Sequence, residues 1–246
     1  MKKMVILAGL AAMLGITGCQ MMKDMQEKQA AQEAAIKKEM AEKGPIRYWM
    51  DTKGSPEMVA KAQNAKVMDR DMLEALEYSV KSYLAARESL QKTQVIQDGV
   101  AVWNRALEAQ SEKTQKELKD FTAADRKAAY DAVVVAAQAA DATEATKKDY
   151  AALVTYLQWG RALEASAAAQ ARERNKAFVK AFVMYSAKVK KMAEKYKKDK
   201  MKMAAATADG LQALSWLGYA GEAAQIEAEA MENAKAASEH LQNVAK

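Results

Sequence analysis

The amino-acid sequence predicts an all-α protein, and within that class an elongated antiparallel helical bundle with coiled-coil-like long helices. Alanine, glutamate, lysine, glutamine and methionine dominate the 246 residues, and all five are good helix formers. The 190 residues that follow Pro56 contain no proline. Apolar residues recur at intervals of three, four and seven, whereas the alternation that is typical of strands is absent.

The first 18 residues have the pattern of a secretory signal peptide. Lys2 and Lys3 precede an apolar run from Met4 to Leu14, and small residues follow that run. The run is shorter than the roughly 20 apolar residues that cross a bilayer as a helix. The pattern therefore predicts export of the chain and not a membrane-spanning segment.

The segment Ile16-Thr17-Gly18-Cys19 resembles the lipobox of bacterial lipoproteins. The resemblance, which covers only the first twenty residues, implies that the chain is cut before Cys19. It also implies that the Cys19 sulfur carries a diacylglycerol and that the new amino group is acylated. Because one acyl chain binds a bilayer only marginally, two or three are needed for a stable anchor. Gln20 follows, in place of the aspartate that favours the inner membrane in many such proteins, so the resemblance implies the outer membrane. We expect the body to face the periplasm.

Residues 19–55 are expected to form the lipidated tether and a loop. Residues 21–43 lack a continuous apolar face, which predicts a polar helix that holds the body off the membrane and ends at Gly44-Pro45. A loop is then expected as far as Pro56, since both prolines and two glycines lie there. Tyr48 and Trp49 in this loop either dock onto the body or bind a partner, and docking is the more ordinary role.

The helical bundle domain is expected to span residues 56–246. Ser55-Pro56-Glu57 is a good helix start, with serine as the N-cap and proline in the first turn. Apolar residues on the two sides of Asp98-Gly99 keep helical spacing but are out of phase. The helix either breaks there or continues with a local change in winding. We favour one continuous helix to about residue 119.

Two further helix starts are predicted from capping patterns. Phe121, Thr122 and Asp125 match a staple residue, an N-cap and an acid at the third helical position. Asp141 followed by Glu144 three residues later predicts another start of the same kind.

A seven-residue register begins at Tyr150 and predicts a rod of roughly 70–90 Å that packs along other helices. The rod is expected to end at Asp209-Gly210, where the last helix begins. The members of the register are Tyr150, Val154, Leu157, Arg161, Ala168, Ala171, Phe178, Phe182, Tyr185, Val189, Met192 and Tyr196.

Residues Ala187 to Lys202 form the most basic part of the chain, with eight lysines against two acids and a net charge of +6. On one continuous helix, five of these lysines form a stripe. They are Lys188, Lys191, Lys195, Lys198 and Lys202. Such a stripe contacts an anionic lipid surface or an acidic partner, or it is the solvated outer face of a bundle helix. The solvated face is the more ordinary interpretation.

The composition argues against several classes of protein. Cys19 is the only cysteine and His240 the only histidine, so a disulfide framework is excluded. No zinc-binding spacing, phosphate loop or serine elbow is present. We therefore predict no enzyme, no cofactor and no metal. Nucleic acid is not an expected partner of an exported chain whose net charge is only +6.

Three binding or structural roles remain. The anchor and the long helices predict a structural scaffold or protein-binding adaptor at the outer membrane, with an envelope protein as its unidentified partner. The final residue, Lys246, resembles the lysine that joins the major helical lipoprotein of enteric bacteria to the cell wall, which implies a peptidoglycan-linked spacer. This chain is longer than that family and lacks its usual tail. The third role is a membrane-surface protein that uses Lys188–Lys202. The sequence leaves the oligomeric state open.

Overall fold

The structure, a computed structural model, describes residues 19–241, and the side chains of residues 27–234. Every regular element in that range is helical, which confirms the all-α prediction. The chain divides into two compact units, Met1–Gly44 and Pro45–Lys246.

The described part of the first unit is one helix, α1, which spans Cys19–Lys43. Nearly all of its described side chains are exposed. Gly44 follows with φ +82°, and its N–H donates to the Met40 carbonyl at 3.0 Å. A glycine in the left-handed region is a common way to end a helix. The predicted polar helix and its end at Gly44 are confirmed.

The second unit contains six α-helices among the described residues. They are α2 (Pro45–Thr52), α3 (Pro56–Gln63), α4 (Leu73–Thr114), α5 (Ala123–Gln138), α6 (Glu144–Lys195) and α7 (Lys200–Leu241). Short 3₁₀ turns at Arg70–Met72 and Leu118–Asp120 precede α4 and α5.

The three long helices α4, α6 and α7 run up, down and up. At one end, Met72 and Ala75 pack with Met192 of α6 and Ala206 of α7. At the other end, Trp103 of α4 packs in the cluster that contains residues from the start of α6 and the later part of α7. With 52 residues, α6 is about 78 Å long. The predicted elongated antiparallel bundle is confirmed for this unit.

Helix α4 is continuous through Asp98-Gly99, as predicted, and ends at Thr114. Its apolar residues change phase because its neighbours change. Before that point, Tyr83 and Leu90 belong to a core with α2, α3 and α7. Beyond it, Trp103 and its neighbours form a core with α5, α6 and the later part of α7.

The prediction of one helix from Ser55 to about residue 119 is wrong at its start. Ser55 is the N-cap, and its Oγ accepts the Met58 N–H at 3.3 Å. However, α3 ends at Gln63. The buried carboxylate of Asp209 accepts the N–H groups of Met68 and Asp69 at 3.0 and 2.8 Å, which holds the connection to α4 in a non-helical path.

The predicted helix end at Asp209-Gly210 is also wrong, because both residues lie inside α7. The chain reverses earlier, between the end of α6 at Lys195 and the start of α7 at Lys200. Asp199 caps the new helix by accepting the Lys202 N–H at 3.0 Å. Gly210 faces the ring of Tyr185, where a Cβ atom would come within 3.0 Å, so its lack of a side chain serves packing.

Residues 45–52 form helix α2 and not the loop that was expected, and the compact unit that contains the bundle begins at Pro45. The side chain of Trp49 is fully buried, and its ring lies 6.1 Å from that of Tyr83, which lies 4.8 Å from that of Trp216. The docking of Tyr48 and Trp49 onto the body is therefore confirmed.

Three side chains hold the turn after α2. The Tyr83 hydroxyl donates to the Lys53 carbonyl at 2.7 Å, and Arg87 Nε donates to the Gly54 carbonyl at 2.7 Å. The Lys53 ammonium pairs with Glu222 of α7 at 2.5 Å. Residues 45–55 thus belong with the bundle and not with the tether.

Of the two later helix starts that were predicted, the one at Thr122 is confirmed and the one at Asp141 is wrong. Thr122 is the N-cap of α5, and Thr122 and Asp125 form the reciprocal capping box that was predicted. Asp141 does not cap α6. Thr143 does so instead, because its hydroxyl accepts the Thr146 N–H at 3.1 Å, which leaves Glu144 as the first helical residue.

Candidate interaction surfaces

Cys19, the predicted lipid attachment residue, is the first described residue and the first residue of α1. Residues 16–18 of the lipobox-like segment and the final Lys246 lie outside the described residues. His240 belongs to α7, but its side chain is also outside them. Acylation at Cys19 and cell-wall linkage at Lys246 therefore stay predictions.

The predicted lysine stripe does not exist as one line along a helix, because the chain reverses within it. Lys188 pairs with Glu74 at the start of α4 at 3.4 Å, and Lys195 pairs with Asp71 in the preceding 3₁₀ turn at 2.6 Å. The Lys195 ammonium holds the pKa of the Asp71 carboxyl below its usual value. Lys202 pairs with Asp199 at 3.3 Å. Three of the five lysines thus form ion pairs within the chain.

The other two predicted lysines are exposed. Lys191 lies on α6, and Lys198 lies in the turn that joins α6 to α7. Further exposed lysines surround that turn. Within residues 27–234, Lys190, Lys197, Lys198 and Lys200 are exposed and have no carboxylate partner.

The outer face of α6 carries large apolar side chains, one of which was expected on the packing side. Phe182, which the register places on the packing side, is 55% exposed, and Val179 and Val183 are each 60% exposed. The residues that pack are the small Ala177 and Ala181, which are 2% and 0% exposed. Because alanines face the bundle, α6 comes close to its neighbours and its larger side chains point outward.

Close approach of α4 and α6 has two further signs. The buried hydroxyl of Ser82 on α4 donates to the Arg174 carbonyl of α6 over 3.0 Å, and the buried hydroxyl oxygen of Ser89 lies 3.1 Å from the Ala167 carbonyl oxygen of α6. A Cβ atom on Gly99 would lie 2.3 Å from Cβ of Tyr156, so only glycine fits this crossing.

A buried polar group joins the three long helices. Arg174 of α6 and Glu227 of α7 form an ion pair in which each side chain is 8% exposed, and Ser89 of α4 donates to the same carboxylate. Charges buried in this way must be paired to be tolerated. The arrangement fixes how the helices are aligned, and both charges are satisfied without a ligand.

An open groove of about 640 Å³ lies between α3, α4 and α6. Its floor is apolar, with Leu76, Val80 and Leu84 of α4, and Leu73 at one end is 44% exposed. Charged and amide side chains form the rim. They are Gln63, Glu77, Lys81, Glu88, Gln170 and Glu173. A smaller hollow of about 340 Å³ lies between α4, α5 and α6, and its lining combines alanines and valines with charged and polar side chains.

Neither the groove nor the exposed face of α6 was predicted from the sequence. A signal for that face is present, because Val179, Val183 and Lys190 are spaced by four and seven residues and so share one side of a helix. Nearly every position from Ala177 to Met184 is apolar, however, so spacing alone does not select the side that packs.

The composition of the described residues bears on metal binding and on membrane topology. No group of three or more histidine, cysteine, aspartate or glutamate side chains that could hold a metal ion occurs among them. No helix in the same part of the chain has both the length and the apolar character required to cross a bilayer.

The fold and its surfaces define a long antiparallel helical bundle with an open apolar groove on its side. Comparison of the chain with models of known protein families, with curated proteins and with solved structures finds no match in any of the three.

Proposed function

We propose that this protein is a lipid-anchored scaffold or adaptor of the bacterial outer membrane, which holds an envelope protein against the side of its helical bundle. In this proposal the acylated Cys19 attaches the chain to the bilayer, and α1 with its exposed polar side chains is the tether. The anchor rests on the lipobox-like segment, and the adaptor role rests on the groove beside α4.

The groove supports the adaptor role because its shape and chemistry suit a helix. It follows α4 from Leu73 to Glu88, a length of about 22 Å or four helical turns. An apolar floor with a polar rim is the usual form of a groove that binds the apolar side of an amphipathic helix. Leu73 shows that the apolar floor reaches the surface, since it is 44% exposed.

The anchor is tested by the mass of the mature N-terminus and by fractionation of cells that express a Cys19→Ser variant. We expect the wild-type chain to begin with an acylated Cys19 and to float with outer membranes, and we expect the variant to leave that fraction. A wild-type chain with a free thiol would refute the anchor.

The groove is tested by photo-cross-linking in intact cells. A cross-linker at Glu77, on the rim, is expected to capture one discrete partner, whereas a cross-linker at Ser215, exposed on α7, is not. Leu73→Asp is expected to abolish the cross-link at Glu77. Leu211→Asp is the matched control, because Leu211 is 56% exposed on α7 and lies outside the groove.

A cross-link at Glu77 that is retained in Leu73→Asp as fully as in Leu211→Asp would contradict the groove as the binding surface. Loss of the cross-link in both variants would also count against it, because the loss would then not depend on the groove. The anchor experiment is independent of these outcomes, because Cys19 is far in sequence from all four positions used to test the groove.

A further inference from the structure

Beyond the groove, the outer face of α6 presents a second surface with a different chemistry. Val179, Phe182 and Val183 place three large apolar side chains within five residues, each more than half exposed. A single exposed apolar residue is ordinary on a protein surface, but a group of them requires an explanation.

Unpaired positive charge continues from this apolar group. Lys190 follows Val183 by seven residues on the same side of α6. Lys197 and Lys198 lie in the next turn, and Lys200 begins α7. Met201, beside Lys200, is 85% exposed. We call Val179, Phe182, Val183, Lys190, Lys197, Lys198, Lys200 and Met201 the apolar–lysine surface.

The nearby acids leave this surface positive. Asp71 and Glu74 are already paired with Lys195 and Lys188, and Asp199 is paired with Lys202. Glu194 is exposed on α6 and offsets one charge. Lys176 and Lys180 flank the apolar group, the first bonded to Glu173 and the second 5.2 Å above the ring of Tyr78.

The combination selects one kind of partner. A second copy of the chain would bring the same lysines together, and like charges repel. A neutral apolar partner would leave the lysines unused. An anionic bilayer suits both the apolar group and the lysines. The apolar side chains enter the boundary between headgroups and acyl chains, and the lysines pair with the phosphates.

We propose that the apolar–lysine surface lies against a bilayer that contains anionic phospholipid, so that the bundle touches the membrane along α6 as well as through its anchor. This inference extends the proposed function, since an anchored chain is already beside a bilayer. The contact itself needs no acyl group.

The test uses the full mature protein reconstituted with two kinds of vesicle, one of phosphatidylcholine alone and one with about a third phosphatidylglycerol. An environment-sensitive fluorophore is attached at position 183 through Val183→Cys, and in a separate sample at position 215 through Ser215→Cys. Flotation reports attachment, and a blue shift of the label with quenching by headgroup-labelled lipid reports contact.

We expect the label at position 183 to shift and to be quenched only with the anionic vesicles, and added salt to reverse the effect. The label at position 215 should not respond. Reversing four charges in Lys190→Glu/Lys197→Glu/Lys198→Glu/Lys200→Glu should reduce the response at position 183 at least about tenfold. The circular dichroism spectrum of this variant should not change, because these lysines have no carboxylate partner within residues 27–234.

Equal responses at positions 183 and 215 would overturn the proposal, and so would an equal response at position 183 in both kinds of vesicle. The anchor fails in a different way, because an unacylated protein does not float with phosphatidylcholine alone. In that case Cys19→Ser is combined with Val183→Cys, so that only position 183 is labelled, and its response in anionic vesicles still decides the surface contact.

Discussion

Helices α4 and α6 are both long and rich in apolar residues, yet the bundle uses them differently. In α4, 16 of 42 residues are buried, against 8 of 52 in α6. Helix α4 is the centre of the unit and contacts α2, α3, α5, α6 and α7. Beside its outer apolar group, helix α6 packs through Ala177 and Ala181 and leaves Phe182 and Val183 outside. Apolar surface that the fold does not need is therefore concentrated on α6, where it is free for binding.

The same comparison explains the polar residues inside α4. Ser79 and Thr93 are fully buried, and their hydroxyls donate to carbonyls four residues earlier on α4, at 2.7 and 3.0 Å. The Ser82 hydroxyl donates to α6, and the Ser89 hydroxyl donates to Glu227 of α7. Small hydroxyl side chains let a central helix be surrounded closely without leaving a buried donor unpaired.

The largest effect is expected where the three long helices share a charge pair. Glu227→Ala leaves the Arg174 guanidinium buried without a partner, so we expect it to lower the free energy of unfolding by about 3–5 kcal/mol. Replacing both residues, in Arg174→Met/Glu227→Leu, should cost much less, because no unpaired charge remains. Urea unfolding followed by circular dichroism measures both. A double variant as unstable as Glu227→Ala would contradict this reading.

The contrast between α4 and α6 is tested most directly by one truncation in each. Leu90 of α4 is fully buried, and Leu90→Ala should cost about 2–5 kcal/mol because it opens a cavity. Phe182 of α6 is 55% exposed, and Phe182→Ala should change stability by no more than about 0.5 kcal/mol. Thermal unfolding of the two variants gives the comparison. Comparable losses would mean that the outer face of α6 is packed.

Two glycine substitutions, one at the crossing and one away from it, test how closely α4 and α6 approach each other. Gly99→Ala places a methyl group against Tyr156 and should destabilise the protein by about 1–3 kcal/mol. Gly218→Ala in α7 meets no neighbour within 4 Å and should gain up to about 1 kcal/mol of helix propensity. Opposite signs in denaturant unfolding are expected. A gain in stability for Gly99→Ala would mean that α4 and α6 lie farther apart at this crossing than described.

The smallest effect concerns α5, which packs on both helices. Thr122→Ala removes the N-cap and should cost about 1 kcal/mol. The Thr122 hydroxyl and N–H, helped by Lys116, lower the pKa of Asp125 to about 2, against about 3.9 in an unfolded chain.

A carboxylate whose folded pKa is lowered stabilises the fold above its unfolded pKa, and the contribution is lost as the pH falls through its folded pKa. The deficit of Asp125→Asn relative to wild type should therefore be full above about pH 5 and shrink between about pH 4 and 2. Unfolding measured across that range tests the sign, and a deficit that grows on acidification would contradict it.

The sequence was sufficient for features that depend on local chemistry. Proline-free helix formers, the cap at Ser55 and the box at Thr122 are encoded in neighbouring residues, and the structure has all of them. The continuity of α4 through Gly99 was predicted as well.

Features that depend on distant partners were missed. Asp209 was interpreted as a helix end because aspartate and glycine often occur there, but its carboxylate is taken by the N–H groups of Met68 and Asp69, some 140 residues away. The orientation of Phe182 follows from how closely α6 approaches α4, which no local pattern encodes. The groove combines three helices and has no signature in any one of them.

The burial of Trp49 against Tyr83 has a practical consequence. Trp49, Trp103 and Trp216 are buried, and their indole N–H groups find no hydrogen-bond acceptor within the described residues, whereas Trp159 is 60% exposed. Intrinsic fluorescence should accordingly contain a short-wavelength emission that iodide does not reach and a long-wavelength emission that it does. Detachment of α2 would move one emitter from the first class to the second, which provides an optical signal for that event without any added dye.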